Sequence, residues 1–575
     1  MMVRILILIL FPFLCFGRKF YFSSSTGNDS YSIAQAQNQN TPWKTLKKLQ
    51  ALITNGNSTF LPGDTIAFKR GDTFSNGYTS AEGFPFVSCA WINDPPNDYT
   101  APSGTQANPI VLTNYGNSND SLPNFYYPVA SIPTSASTHN VFQFSGVSWI
   151  VIDGLRFMDT RFPLTDKSNP AYTRSCLILG ITSKGNFLDT IANSSKIIKD
   201  CIVKNCVFDN VSFAVGALMG IRCTLTNNTI TNLKTTTDTT GTYDVGSGAF
   251  EAINGLYNVI SYNYVKGAWG KSGRISSSKG LLGVGVDVFN LRHSKIIYNT
   301  FIDCSGMVEI GNIDDVDTLS GAQNDTFAFN KVINCLQLAY IHGEPGSAFG
   351  GYVKNIRFFN NVVINNNKSR ISGPNFGYDM YNDGQSFSGN NTGQYAWWFF
   401  RSANKCPNDA LPNTDTTWSN PQNPPSCNYS GHRSGVQYPS DNFKGNPDTI
   451  ADIRNNIFYV TNGTQIIYSN TRTKLKHTNN LYYIKGQFTN PSAVGGQLGT
   501  NEYINTTKIF KDTSAIYPED WDLHLVDTSS AISNGTPVGF NKDFAGNNII
   551  TNFIGLYEPT LLVNQIRTRK KFKSL

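Results

Sequence analysis

Charge is what this 575-residue chain has little of. Only 15% of its residues are Asp, Glu, Lys or Arg, against 40% apolar and 13% aromatic. That balance excludes a self-repelling disordered polymer and leaves ample material for a large core. Long amphipathic helices are scarce, no zinc-ligand spacing is present, and no stretch beyond the N-terminus is apolar for long enough to span a bilayer. The formal net charge of +7 does not describe the body of the protein. Arg567, Arg569, Lys570, Lys571 and Lys573 supply five charges from the tail, and Arg4 supplies one from the other end. Without these the chain is close to neutral, so neither a nucleic acid nor an acidic substrate is argued for by charge. The basic tail reads as a frayed end.

The N-terminus has the form of a secretory signal. Arg4 is the charged part, residues 5–16 are apolar, and Cys15-Phe16-Gly17 is a tolerable cleavage site. The apolar run is too short for a membrane anchor. A secreted or cell-surface protein with no membrane span is expected. Ten Cys leave nine after cleavage, an odd number. Cys304 and Cys335 each fall five residues after an Asn of the repeat described next, so they are expected to stack as small core residues. Cys406 and Cys427 share a long insertion and are the disulfide candidates.

What is abundant is a short repeat: an apolar residue, two residues, Asn, then an apolar residue two later. Its copies centre on Asn205, Asn228, Asn263, Asn299, Asn330, Asn361 and Asn456, with a looser copy at Asn480. The spacings are 23, 35, 36, 31, 31, 95 and 24 residues. The shortest match one coil of a β-solenoid, and the longer ones a coil plus an inserted loop. A unit that small cannot bury its own apolar face and must stack on copies of itself. The organisation expected is a signal peptide over 1–17, an N-terminal cap and first coils over 18–140 and central coils over 141–365. An aromatic-rich insertion follows over 366–450, then C-terminal coils and a closing segment over 451–558, and the basic tail over 559–575. Within the cap, Thr41-Pro42-Trp43 opens a short helix with Leu46, Leu49, Leu52 and Ile53 on one face, which would cover the open end of the solenoid.

These segments carry a resemblance. Tyr21-Phe22-Ser23-Ser24 with Gly27-Asn28-Asp29, then Pro42-Trp43-Lys44-Thr45-Leu46 and Pro62-Gly63-Asp64-Thr65-Ile66, resemble the opening of secreted bacterial right-handed parallel β-helix proteins of the pectate-lyase-like superfamily. The closing Asp543-Phe544-Ala545-Gly546 and Gly555-Leu556-Tyr557-Glu558 are also similar to theirs. The resemblance implies an all-β, right-handed parallel β-helix and a secreted protein handling a polysaccharide. That superfamily holds lyases, hydrolases, epimerases and non-catalytic binders, so the resemblance does not choose a reaction. The catalytic sets of polygalacturonases and of alginate epimerases are not found in this chain, and no pectate-lyase base motif is clear.

Twelve residues before Asn263 and Asn299 lie Phe250-Glu251-Ala252-Ile253-Asn254 and Val286-Asp287-Val288-Phe289-Asn290. Val308-Glu309-Ile310-Gly311-Asn312 and Ala339-Tyr340-Ile341-His342-Gly343 match them. In a strand, alternate residues face opposite sides. The flanking apolar residues therefore point inward, and Glu251, Asp287, Glu309 and Tyr340 point outward. On adjacent rungs, ~4.8 Å apart, this makes an exposed column of three carboxylates capped by Tyr340 and His342. Like charges opposed across strands destabilise a sheet, so the column needs a bound cation or raised pKa values. A Ca²⁺ ion held by Glu251, Asp287 and Glu309 would serve β-elimination on a uronate. Raised pKa values would serve acid/base hydrolysis, one carboxylic acid protonating the glycosidic oxygen while another carboxylate acts as base or nucleophile. The bland alternative is three solvated acids on a polar face.

Other candidates are weaker. His342 shares the outward face and is a candidate proton shuttle. Asn254, Asn290 and Asn312 form either an amide ladder at the turn or a set of sugar-hydroxyl ligands. Arg292, with His293, could hold a substrate carboxylate or sulfate. Trp397 and Trp398 either stack on sugars or pack the insertion onto the solenoid. Hydrolysis is the first reading, because the column holds carboxylates and no Lys or Arg. Calcium-assisted lyase action is the second, and a non-catalytic glycan-binding solenoid the third. The expected partner is a polysaccharide, with no nucleic acid, and the expected state is a monomer.

Overall fold

The computed structural model describes residues 17–54, 59–74, 89–94, 99–126, 141–158, 175–180, 197–211, 213–233, 247–268, 283–304, 306–311, 321–335, 337–341, 353–366, 396–402, 451–460, 465–467, 475–484, 499–505 and 507–559. Among the described residues three sheets of 12, 12 and 11 strands run along the molecule, parallel except for the edge strand Tyr99–Thr100. Each coil contributes one strand to each sheet in turn. The coil of Glu251, for example, passes through Ser247–Ile253 in the third sheet, Val259–Ser261 in the first and Tyr264–Lys266 in the second. The fold is an all-β, right-handed parallel β-helix. Its core is one continuous cluster of side chains between the three sheets, with stacks such as Phe157 on Phe208 at 4.9 Å and Phe327 on Phe358 at 5.0 Å.

The repeated Asn is what turns the first sheet into the second. Asn228, Asn263, Asn299, Asn330, Asn361, Asn456 and Asn480 are 0 to 1% exposed. Each of the first six donates its backbone N–H and its Nδ2 to Oδ1 of the next rung, at 2.9 to 3.1 Å. A buried turn would otherwise leave an N–H orphaned on every coil. The last rung, Asn480, donates to the buried carboxylate of Glu502 at 2.6 Å, and Glu502 also accepts from Tyr482 Oη and from the N–H of Gly499.

The first copy of the repeat is displaced by one residue from the sequence reading. Val203, not Ile202, pairs with Leu225, and Cys206, not Asn205, takes the ladder position and donates its N–H to Asn228 Oδ1 at 3.0 Å. A one-residue slip exchanges the two faces of a strand. The burial pattern settles the phase, with Val203 and Phe208 at 1% and 0% exposed. Asn205 instead holds the left-handed residue of the same turn, φ 54°, and is exposed.

The cap forms around the residues that carried the resemblance. The helix is Leu46–Thr54, with Leu46, Leu49 and Ile53 buried. Asp29 accepts from the N–H groups of Lys44 and Thr45 ahead of it, and Thr45 Oγ1 accepts from Lys48 N inside its first turn. These side chains satisfy N–H groups that a helix start leaves open. Trp43 is fully buried and stacks on Phe20 at 5.6 Å. Asp64 binds Arg18 at 2.6 Å and accepts from Leu61 N. At the other end, residues 507–559 fold back over the outer face of the second sheet. Lys266 pairs with Glu519 at 2.9 Å, Tyr298 Oη donates to Lys542 O, and Asn360 Nδ2 donates to Phe553 O and Gly555 O.

The segment expected as an aromatic insertion contains a coil strand. Ala396–Ser402 joins the third sheet, pairing Trp398 with Gln337, Arg401 with Tyr340, and Trp397 with Ile466. The stretch from Asn361 to Asn456 is therefore one long coil, since those two Asn residues are adjacent rungs. Cys304 and Cys335 are buried free thiols on neighbouring rungs, as are Cys201 and Cys223. Cys406 and Cys427 lie outside the described residues. No helix among the described residues is long and apolar enough to cross a membrane.

Candidate functional site

The third sheet brings the carboxylates into register. Glu251 pairs with Asp287, Asp287 with Glu309, and Glu309 with Tyr340. Phe250, Ala252, Val286, Val288, Val308 and Ile310 on either side are all 0% exposed, so the alternation holds and the three acids lie on the outer face. Arg401 continues the same column one rung past Tyr340.

The column is less exposed than the sequence implied. Glu251 and Asp287 are half-buried, and Glu309 is 9% exposed. The reason lies on the same strands. A Cβ built on Gly248 would stand 3.2 Å from the Phe213 ring and 3.4 Å from Asp287 Oδ2. Ring and carboxylate therefore share one side of the sheet, and Gly248 leaves room between them. Phe213 and Val284, on rungs flanking Gly248, are 5% and 3% exposed, so this face is shielded from water. The strand also changes phase here. Ala249 and Phe250 are both fully buried, as are Met307 and Val308. At the equivalent Gly285 an added Cβ would come within 2.4 Å of the Phe301 ring in the core. Only glycine fits there.

Shielding has an electrostatic consequence. Burial pushes the Glu251 carboxyl up from 4.5 to about 8. Asp287 is pushed well above the ordinary carboxylate range, first by burial, then by the charges of Glu309 and Glu251 on either side. These are the two causes that raise an acid's pKa. At neutral pH the column therefore keeps protons that exposed carboxylates would have lost.

Asn254 and Asn290 are 2% and 0% exposed. Both adopt left-handed backbone, φ 51° and 56°. Asn290 Nδ2 donates to Asn254 Oδ1 at 2.9 Å, and Gly321 N donates to Asn290 Oδ1 at 2.7 Å. Of the two alternatives this is the amide ladder, and these side chains are not presented to a ligand. Arg292 sits at the turn from the third sheet to the first, in a bridge column with Leu256, Gln323 and Lys354. Its charge acts on Asp325, a fully buried carboxyl raised chiefly by burial and pulled back by a hydrogen bond from Ser294 and by Arg292 and Arg357. Asp325 ends a second ladder that the sequence reading missed, in which Cys223 N donates to Asn258 Oδ1, Asn258 N to Ser294 Oγ and Ser294 N to Asp325 Oδ1. Four different residue types share that position, so no repeat was visible. Tyr340, Trp397 and Trp398 hold the register positions given above. Asn312 and His342 lie outside the described residues.

Among the described residues no three His, Cys, Asp or Glu side chains converge to hold a metal ion. The three carboxylates step along the sheet instead of closing on one point, so the calcium set of the elimination reading is not formed by them as described.

No protein-family model matches the chain, and no curated protein matches it. Solved structures do. A GH136 lacto-N-biosidase from Eubacterium ramulus is 11% identical, with 85% of this chain and 68% of that chain covered and a TM-score of 0.41. Pectate lyase Pel9A is 12% identical, with 95% and 97% covered and a TM-score of 0.38. A tailspike protein mutant of E. coli bacteriophage HK620, in complex with a pentasaccharide, is 13% identical, with 80% and 63% covered and a TM-score of 0.40.

Proposed function

We propose that this protein is a secreted enzyme that hydrolyses a polysaccharide at the Glu251, Asp287 and Glu309 column. The observation that carries the reading is the column itself: three acids on successive rungs, in register, on a shielded face, two of them with raised pKa. Three chance acids on a solvated face would repel one another without holding protons.

Glu251 is the general acid. Its proton is retained up to about pH 8 and is available to the glycosidic oxygen as the bond to the leaving sugar breaks. Burial, with the neighbouring charges of Glu309 and Glu251, raises Asp287 as well, and Glu309 on the next rung is the side chain placed to activate water or attack the anomeric carbon. Adjacent rungs stand ~4.8 Å apart and alternate rungs twice that, so the column supplies both the short and the long carboxylate separations that glycoside hydrolysis uses.

One observation favours a second reading, elimination on a uronate. Arg401 takes the register position two rungs beyond Glu309, which adds a basic residue to the run of acids. Digestion of a polysaccharide panel separates the two. New reducing ends without the ultraviolet absorbance of an unsaturated uronate, insensitive to chelator, support hydrolysis. Absorbance that appears with the reducing ends supports elimination. Neither signal across the panel, together with retained polysaccharide binding, leaves a binding solenoid.

A further inference from the structure

Just ahead of the first-sheet strand, each coil from Trp149 to Asn355 places one residue in the left-handed region. Asn324 and Asn355 occupy it on two coils, at φ 60° and 55°, and Asn is the non-glycine residue that tolerates this backbone best. On the coils of Glu251 and Asp287 the same position holds Tyr257, φ 57°, and His293, φ 53°. Tyr257 is 52% exposed, and His293 is exposed too. Their rings stack, with centroids 5.3 Å apart and planes 30° from parallel. One rung before them Arg222, φ 56°, is held by a bidentate pair to Asp200, both contacts at 2.7 Å. A bulky ring in left-handed backbone is strained; Tyr262, Tyr298 and Phe329 share it in a stack whose last two rings are buried, whereas both rings of the Tyr257 and His293 stack are exposed. Folding gains little from these two rings, because they lie outside the core and in water.

Each ring follows a carboxylate of the column by six residues on the same coil. The stacked pair therefore stands on the two rungs carrying the proposed acid and its neighbour, past the turns at Asn254 and Asn290 and just ahead of the first-sheet strands. We propose that Tyr257 and His293 form a glycan-holding ridge, a binding site beside the catalytic column that takes a stretch of the polymer outside the cleaved linkage. Aromatic rings offer an apolar surface to pyranose C–H faces, while Arg222 and Asp200 at one end and Asn324 at the other offer hydrogen bonds to hydroxyls. The ligand class rests on the hydrolase reading above. The ridge is a separate claim about where the polymer is held.

The test uses the full chain and its Tyr257→Asn and His293→Asn variants in affinity electrophoresis through gels cast with each polysaccharide of the panel, alongside thermal melts. Asn relieves the backbone strain, so both variants are expected to melt at or above the wild type while their retardation weakens by about tenfold in apparent affinity, the size expected for a lost stacking contact. Equal retardation of wild type and variants overturns the ridge and leaves the hydrolase reading standing. Lower melting temperatures with equal retardation make the stack structural and overturn it too. A wild type that no polysaccharide retards removes both claims.

Discussion

Replacing Glu251 with Gln tests the shielded column without relying on a substrate. Gln keeps the size and polarity of the protonated acid and cannot ionise. The wild-type carboxyl has its pKa raised from 4.5 to about 8 on folding. As pH rises the unfolded chain loses this proton first, so it binds fewer protons than the native state between those two values, and stability falls with pH across that window. It is unaffected below pH 4.5 and levels off above about pH 8. At 1.36 kcal/mol per unit the loss is at most about 5 kcal/mol, a ceiling because a half-buried carboxylate keeps part of its solvation. The unfolding entropy of a 575-residue chain is about 1.2 kcal/mol/K at ~2.1 cal/mol/K per residue. The E251Q protein should therefore melt with the wild type at about pH 4.5 and roughly 2 to 4 °C above it at about pH 9, and by more if a shorter block of coils unfolds as the cooperative unit. Coincident melts at about pH 9 would refute the burial argument, and so would a wild type that melts higher there.

The same variant should lose activity by at least ~100-fold on a panel substrate, the contribution of a positioned acid, and wild-type turnover should fall as pH rises through about 8, where Glu251 gives up its proton. Asn299→Ala removes the Oδ1 acceptor and the Nδ2 donors from the middle of the ladder and should cost about 1 to 3 kcal/mol for each buried N–H or carbonyl left unpaired, read by denaturant midpoint. Cys206→Asn places the ladder's own residue at its first rung and should stabilise by about 1 kcal/mol. Gly285→Ala drives a methyl to within 2.4 Å of the Phe301 ring and should destabilise by about 1 to 3 kcal/mol, lowering the melting temperature at every pH.

The solenoid was legible because its rule is local. An Asn flanked by apolar residues at fixed offsets marks a turn, and the count between copies gives the coil. The same rule aligned Glu251, Asp287 and Glu309 across three strands before any pairing was seen, because a strand's alternation needs only neighbouring residues. It failed by one position at Asn205, where the flanking residues are apolar in either frame and a Cys, Cys206, takes the rung instead of the Asn beside it. It failed again at Trp397 and Trp398, since a 95-residue coil hides its own strand from any short period.

What the sequence determined by itself is the parallel β-helix, its Asn rungs from Asn228 onward and the existence of an acidic column on one face. These follow from side-chain periodicity and turn chemistry, which act over a few residues. Tertiary structure decided everything that depends on what lies across from a group. It closed Asn254 and Asn290 into a ladder instead of a ligand set, brought the charge of Arg292 within range of Asp325, placed Arg401 in the column's register, and left Gly248 open beside Asp287. Above all it shielded the carboxylates. A pKa is set by the solvent and charges surrounding a group, and those are contributed by residues distant in the chain, so the proton on Glu251 belongs to the fold and not to the motif.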